Sequence, residues 1–276
     1  MSHRVVDWDD PGVDWAGFTL VVVRSVWDYP RRRDELLDWA ERVAALVPLA
    51  NPPHILRWSS DKRYLLDLAR RGVPVVPTAI AAPGERLAWP DGEVVVKPAV
   101  SAGSIDTDRY PEARRAEAEA HVARLHAGGR AAMVQPYLRA VESRGEIALV
   151  HVEGAMVHTV RKGPMLMPGL ATVAGLFVEE DIRPAVAGDA ERRIAERALA
   201  AIPGLDAPLL YARVDVVFTD GGEPLLLELE LVEPSLFLAH APGVADTLAR
   251  AIARRVSRRG VPSRSPGESP DSKERS

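Results

Sequence analysis

The sequence predicts a mixed chain, α/β at its start and α+β beyond. Three observations carry this. A continuous apolar run, Phe18 to Val23, leads into a segment with helical apolar spacing. Two later segments alternate about glycine-bearing turns, as antiparallel hairpins do. The 276 residues, 47% hydrophobic and 27% charged, are enough for one large or two modest apolar cores.

Phe18–Val23 reads as a strand buried on both faces. The stretch past its end, Arg24 to Pro30, is polar, and such positions often face ligand. A helix is expected over Arg31–Leu46, with Leu36, Leu37, Ala40, Val43, Ala44 and Val47 on one stripe. A second helix, capped by Ser59, Ser60 or Asp61 and closed by Gly72, turns Tyr64, Leu65, Leu68 and Ala69 inward. Short strands follow at Pro74–Thr78 and Glu93–Lys97, then a small flexible segment, Ser101-Ala102-Gly103-Ser104, and a helix over Pro111–His126. Ala131 opens a strand that runs into a proline-marked bend. Hairpins over Arg144–Lys162 and Tyr211–Leu231 turn at Glu153-Gly154 and Gly221-Gly222, with a helix over Ala190–Ala201 between them. A last helix covers Gly243–Val256. From Ser257 onward there is almost no apolar residue, and disorder is expected.

Composition excludes several classes. Without cysteine there is no disulfide scaffold, thiolate metal site or cysteine nucleophile. A net charge of −4 does not suit a nucleic-acid binder. The N-terminus lacks the apolar core of a signal peptide, and no apolar run approaches the roughly 18 residues of a membrane span. A cytoplasmic protein without nucleic-acid or membrane partners is expected; self-association into a homo-oligomer stays open. The seven histidines show no zinc-type spacing, and neither a G-x-S-x-G elbow nor a Walker A loop occurs.

The second hairpin carries the chemistry. A two-residue turn at Gly221-Gly222 sets Asp215 opposite Glu228 and Arg213 opposite Glu230, all four on one face. Val214, Val216, Leu227 and Leu229 then fill the other face. Carboxylates directly opposite one another repel, and a shared divalent cation reverses the sign; magnesium, held by a few carboxylates and substrate phosphates, suits Asp215, Glu228 and Glu230. The bland alternative is a solvated acidic face. In the first hairpin, a turn at Glu153-Gly154 places Glu146 across from Arg161, where a cross-strand ion pair explains both. Lys97 ends a rigid strand. Lys62 falls in a helix's first turn, an unfavourable place for a cation unless a phosphate binds there.

In combination, Asp61-Lys62, Val96-Lys97-Pro98, the small loop, Val134-Gln135-Pro136-Tyr137-Leu138 and Arg213-x-Asp215 with Glu228-x-Glu230 resemble the ATP-grasp superfamily. RSVWDY, VVVKPAVSAG, VQPYL, YARVD and LELELVEPSLFL are similar to small actinobacterial members that include the cycloserine-biosynthesis cyclase, which closes O-ureidoserine to an isoxazolidinone ring. More distant likeness is to glutathione synthetase-like ligases. The resemblance implies an N-terminal doubly wound domain, residues 1–57; the family's first strand and helix have no match from Met1 onward, so either the true start lies upstream of Met1 or the N-terminal sheet lacks one strand. The same resemblance implies two α+β subdomains clamping ATP: residues 58–132 with a lid loop and 133–256 with the metal site, then a tail, 257–276.

The resemblance also implies roles. Lys62 and Lys97 would hold ATP phosphates, with Ser101, Gly103 and the rest of the loop to Thr107 folding over them. Gln135 and the backbone near Tyr137 and Leu138 would receive adenine, and Glu146 would be the acid after the hinge. Asp215 and Glu228 would match the magnesium ligands; Glu230 stands where many members have asparagine. Arg213, Arg161 and Lys162 would act on phosphate or substrate. Arg24, Ser25, Asp28, Glu233 and Ser235 are substrate-end candidates by position. The implied activity is an ADP-forming carboxylate–amine ligase or intramolecular cyclase working through an acyl phosphate on small-molecule substrates. The alternatives are a peptide ligase of the glutathione-synthetase or ribosomal-tail-modifying type and a degenerate ATP-binding regulatory protein.

Overall fold

The computed structural model describes residues 2–164, 166 and 181–259. The expected tail from Ser257 falls almost wholly outside them.

At the N-terminus a short strand β1 (Val21–Val22) runs parallel to β2 (Leu49–Ala50), with helix α1 (Arg33–Ala44) between. The α1 stripe follows the predicted spacing, burying Leu36, Leu37, Ala40 and Val43, and adds Trp39. Trp8 and Trp15 meet Trp39 edge-on, at ring-centroid distances of 6.1 and 5.2 Å. The strand expected over Phe18–Val23 is only two residues long and half-buried, because it has one neighbour rather than two. Helix α2 (Pro53–Ser59), opened by a proline in its first turn, had no counterpart in the sequence reading. Helix α3 (Tyr64–Arg70) starts two residues after Lys62, so this lysine lies in the turn before the helix rather than in its first turn.

A four-stranded antiparallel sheet follows, built from β3 (Ala79–Ala81), β4 (Val94–Pro98), β5 (Asp108–Tyr110) and, after helix α4 (Arg115–Ala127), β6 (Ala132–Pro136), in the order β3-β6-β4-β5. The strand expected at Pro74–Thr78 is displaced to Ala79. Pro74 and Pro77 lack the N–H that a ladder needs, and only Val75 makes a bridge there, to Leu226. Because β6 completes this sheet, the unit extends to Pro136, beyond the boundary expected after residue 132.

After the short helix α5 (Ala140–Arg144) comes the five-stranded sheet that positions the chemistry. It comprises β7 (Glu146–Val152), β8 (Ala155–Lys162), β9 (Ile182–Ala185) and, beyond helix α6 (Asp189–Ala200), β10 (Tyr211–Phe218) and β11 (Pro224–Glu230), in the order β11-β10-β7-β8-β9. Helix α7 (Val244–Arg259) ends the described chain. One sheet face packs with α3 and α6 in the largest core, where Leu149, Val214, Val216, Leu226 and Leu229 meet Tyr64, Leu65, Leu68, Ile194 and Ala198.

Both hairpins carry a bulge. In the first, Glu153 and Gly154 occupy the left-handed turn, with Val152 opposite Ala155. A shift between Val150 and His151 then moves every later pair by one residue, so Glu146 faces Lys162, and Ile147 faces Arg161. The expected Glu146–Arg161 pairing is therefore corrected. In the second hairpin Arg213 faces Glu230 and Asp215 faces Glu228, as the sequence predicts. The route differs: Phe218 pairs with Pro224 around a longer turn, and a bulge at Leu227 restores the register. Leu227 thus turns toward the cleft, and Leu226, fully buried, takes the core position expected for it.

Asn51 and Tyr211 join the N-terminal unit to this sheet. The Asn51 amide donates to Tyr211 O at 3.0 Å and Leu231 O at 2.8 Å, and its oxygen accepts from Leu210 N at 3.2 Å. The Tyr211 hydroxyl lies 2.6 Å from Val23 O and 3.0 Å from Val232 O.

Candidate active site

The cleft between the two larger sheets has a void of about 1130 Å³ including its open mouth, enough for a nucleotide-sized ligand. Its two ends differ. One is apolar, walled by Val95, Pro136, Leu138, Val141, Val217 and Leu227. The other is charged, lined by Lys62, Lys97, Lys162 and Arg213 together with Glu146, Glu228 and Glu230, with Asp215 buried beside them. Ser101, Gly103, Ser104 and Thr107 form the rim.

The charged end holds two ion-pair clusters. Lys62 Nζ lies 3.0 Å from Glu228 and donates to Ser101 O at 2.9 Å. Lys162 Nζ lies 2.6 Å from Glu146 and 2.8 Å from Asp215. Arg213 grips Asp215 with Nε at 2.9 Å and Nη2 at 3.0 Å, and also pairs with Glu230. Strand alternation accounts for the shared face. The one-residue shift in β8 determines which cation arrives: Lys162 enters the cleft, whereas Arg161 is directed to the carbonyls of Arg144 and Ser143, at 2.6 and 3.0 Å. Arg161 is therefore not brought to the site.

Burial and neighbouring charge compete at each group. Burial opposes ionisation of Glu228, but Lys62, Lys97 and Arg213 outweigh it and hold the carboxyl down at about 2. Burial raises Glu230, and Glu228 and Asp215 add to the rise against the pull of Arg213. Burial would raise Asp215 too; Arg213 and Lys162 reverse that. Lys97 is pushed down to about 8, first by burial and then by Lys62 and Lys162, with Glu228 opposing.

Other predicted residues divide. Gln135 lines the apolar end while donating to Thr78 Oγ1 at 2.9 Å. Tyr137 lies at the mouth, its ring stacked by Arg109 at 3.5 Å. Arg24 sits over the Tyr211 ring at 5.2 Å, and Glu233 is buried. Ser25 is exposed in a left-handed conformation (φ 56°). Asp28 is engaged outside the cleft, by Trp8 and Arg32, both at 3.1 Å. Ser235 is exposed, and its carbonyl accepts from Arg213 at 3.3 Å. The sequence reading missed Tyr29, whose buried hydroxyl donates to Ser101 O at 3.3 Å, and the apolar wall. Tyr29 stood within the polar stretch after β1, but wall residues on strands carry no mark distinguishing them from core.

The donor set suits magnesium. Three oxygen-donor side chains, Asp215, Glu228 and Glu230, share one face beside the cleft lysines Lys62, Lys97 and Lys162. Among the described residues each of these acids is paired with lysine or arginine, and no three His, Asp or Glu side chains converge on one point. A cation would enter by exchange with those pairs.

Comparisons with known proteins agree with this geometry. Residues 1–51 match the family described as D-cycloserine synthetase DcsG, N-terminal domain. The chain is 42% identical over 271 residues to the cycloserine biosynthesis protein DcsG of Streptomyces lavendulae, covering 93% of this chain and 89% of that protein. It superposes on the crystal structure of D-cycloserine synthetase DcsG with a TM-score of 0.82 at 38% identity, covering 92% of this chain and 89% of the other. The D-alanine–D-alanine ligase of Bacillus anthracis complexed with ATP shares the fold at a TM-score of 0.59 and 16% identity, over 84% and 82% of the two chains.

Proposed function

This chain belongs to the D-cycloserine synthetase family of ATP-grasp enzymes, and on that premise we propose that it is an ADP-forming cyclase that joins a carboxylate to a nitrogen of the same amino acid derivative. The observation that carries this is the pair of charged clusters, Lys62–Glu228 and Lys162–Asp215–Arg213, lining one nucleotide-sized cleft. Adenine takes the apolar end by Gln135, Tyr137 and Leu138. The phosphates lie toward Lys62, Lys97 and Lys162, under the loop that begins at Ser101. Asp215, Glu228 and Glu230 would hold magnesium, which supplies charge neutralisation on the phosphates.

The protein's contribution is positioning and fixed charge. A substrate carboxylate oxygen, oriented by Arg213, attacks the γ-phosphorus; the bond to the β-phosphate oxygen breaks and ADP leaves. The substrate nitrogen then attacks the acyl carbon, the bond to the phosphate oxygen breaks, and the nitrogen gives up a proton. Lys97, held near neutrality at about 8, and Lys62 offset charge on the transferred group throughout. The reaction suits the cytoplasm, where ATP is supplied.

Incubation with ATP, magnesium and O-ureidoserine tests the proposal. Expected are stoichiometric ADP and a ring-closed product lighter than the substrate by one water while the ring nitrogen keeps its carbamoyl group, or by that water and HNCO once hydrolysis removes the group. A product heavier by an added amino acid would instead identify a peptide ligase, and ATP binding without turnover a regulatory protein.

A further inference from the structure

Beyond the nucleotide cleft, the loop leaving β11 and the polar stretch after β1 bring two charged side chains together. Glu233 is 6% exposed and hydrogen-bonded to Trp27, which is 62% exposed. Glu230 adds to the effect of burial on this acid by repulsion, and Arg24 is the strongest charge opposing it. Arg24 is placed by the Tyr211 ring at 5.2 Å, and its Nη1 is buried without a hydrogen-bond partner. The nucleotide network uses neither residue.

An acid this buried is costly unless a cation joins it, and a buried guanidinium N–H is costly unless an acceptor joins it. An α-amino acid supplies both, on one α-carbon. The exposed Trp27 indole beside the acid offers a further favourable surface to an ammonium. Asp28, three residues from Ser25 in the same stretch, is already paired with Arg32 and does not compete.

Building on the cyclase reading, we propose that Glu233 and Arg24 form the specificity subsite for the α-amino acid end of the substrate, Glu233 taking the ammonium and Arg24 Nη1 a carboxylate oxygen. Their position beside Glu230 and Arg213 sets that carboxylate at the charged end, where phosphoryl transfer takes place. Burial, followed by the Glu230 charge, pushes the Glu233 carboxyl up to about 8, which suits an acid held for an arriving cation.

The test compares ADP formation with O-ureidoserine and with its analogue lacking the α-amino group, in wild type, Glu233→Gln and Arg24→Gln. Wild type should prefer the amino compound by roughly 10²-fold in kcat/KM, in line with loss of one buried charge-assisted contact. In Glu233→Gln that preference should collapse to within about threefold, with ADP affinity by calorimetry unchanged. In Arg24→Gln the KM should rise for both compounds and the preference should persist. A Glu233→Gln enzyme that binds ADP and keeps the full preference overturns the subsite while leaving the cyclase reading intact. Wild-type inactivity toward both compounds overturns the cyclase reading and the subsite with it.

Discussion

Glu228 and Glu230 lie two residues apart on one strand, yet their environments drive them in opposite directions. Lys62 and Lys97 overcome burial at Glu228; at Glu230 burial and the neighbouring acids prevail over Arg213. A carboxyl lowered on folding contributes stability above its unfolded pKa, and that contribution is lost as pH falls through the folded value. For Glu228 the window runs from about 4.5 to about 2. Urea unfolding of the ligand-free protein should show wild type losing on the order of a few kcal/mol across it, while Glu228→Gln is flatter. Glu233 has the opposite sign. Raised to about 8, it favours the fold fully only below its unfolded value of 4.5, and that contribution declines as pH rises to 8. Glu233→Gln should therefore unfold at a higher Tm than wild type at pH 9, and an unchanged difference between pH 5 and pH 9 would contradict this. At the site itself, Lys97→Met should lower kcat by about 10²- to 10³-fold through lost charge at the transferred phosphate, measured by coupled ADP release.

At the scale of elements, register governs everything. Gly145 joins α5 to β7 at φ 71°, and a Cβ there would meet Lys162 O at 2.3 Å. Gly145→Ala should cost roughly 1–3 kcal/mol and raise the KM for ATP, because the Glu146–Lys162 pair would be displaced; chemical denaturation and steady-state kinetics check both effects. Deleting Leu227 removes the bulge in β11. Leu226 then stays opposite Val216 and Glu228 opposite Asp215, so the strand alternates regularly and both acids keep the cleft face. Soluble protein that keeps turnover, with the KM for ATP raised by loss of one apolar residue from the cleft wall, is expected by expression and activity assay, and loss of soluble protein would contradict this register. The face shared by Arg213, Asp215, Glu228 and Glu230 was legible because strands alternate strictly and Gly221-Gly222 marks a turn. The bulges were not. Leu225-Leu226-Leu227 is apolar throughout, so nothing in the pattern reveals which leucine is the extra one, and the adjacent cations Arg161 and Lys162 leave the first hairpin equally ambiguous.

Across the whole molecule, an apolar cluster of Leu20, Val22 and Ala50 with Val150, Val152 and Leu210 holds the N-terminal unit to the five-stranded sheet, and a few hydrogen bonds fix its position. Tyr211 and Asn51 reach Val23, Leu231 and Val232, linking the parallel pair to the catalytic sheet and to the loop that carries Glu233. Tyr211→Phe should destabilise by about 1–3 kcal/mol and, under the proposed subsite, raise the KM for the carboxylate substrate more than that for ATP, since the lost hydroxyl anchors the segments carrying Arg24 and Glu233. The order of helices and hairpins was legible from apolar spacing and turn residues, as with α1, α6 and the two hairpins. The three-sheet division was less so, because β6 joins its sheet through long-range pairing that no local pattern encodes. The cleft's apolar wall was hidden for a related reason, since Val95 and Val217 occupy strand positions that read as core.

The balance of charge in the cleft has one more consequence. Lys62, Lys97, Lys162 and Arg213 are matched in number by Glu146, Asp215, Glu228 and Glu230, so the side chains of the cleft together project little field into solution. Nucleotide encounter should then lack long-range guidance, and its association rate constant should change little between low and high ionic strength. Selectivity for a polyphosphate would arise after contact, as internal partners are traded one at a time.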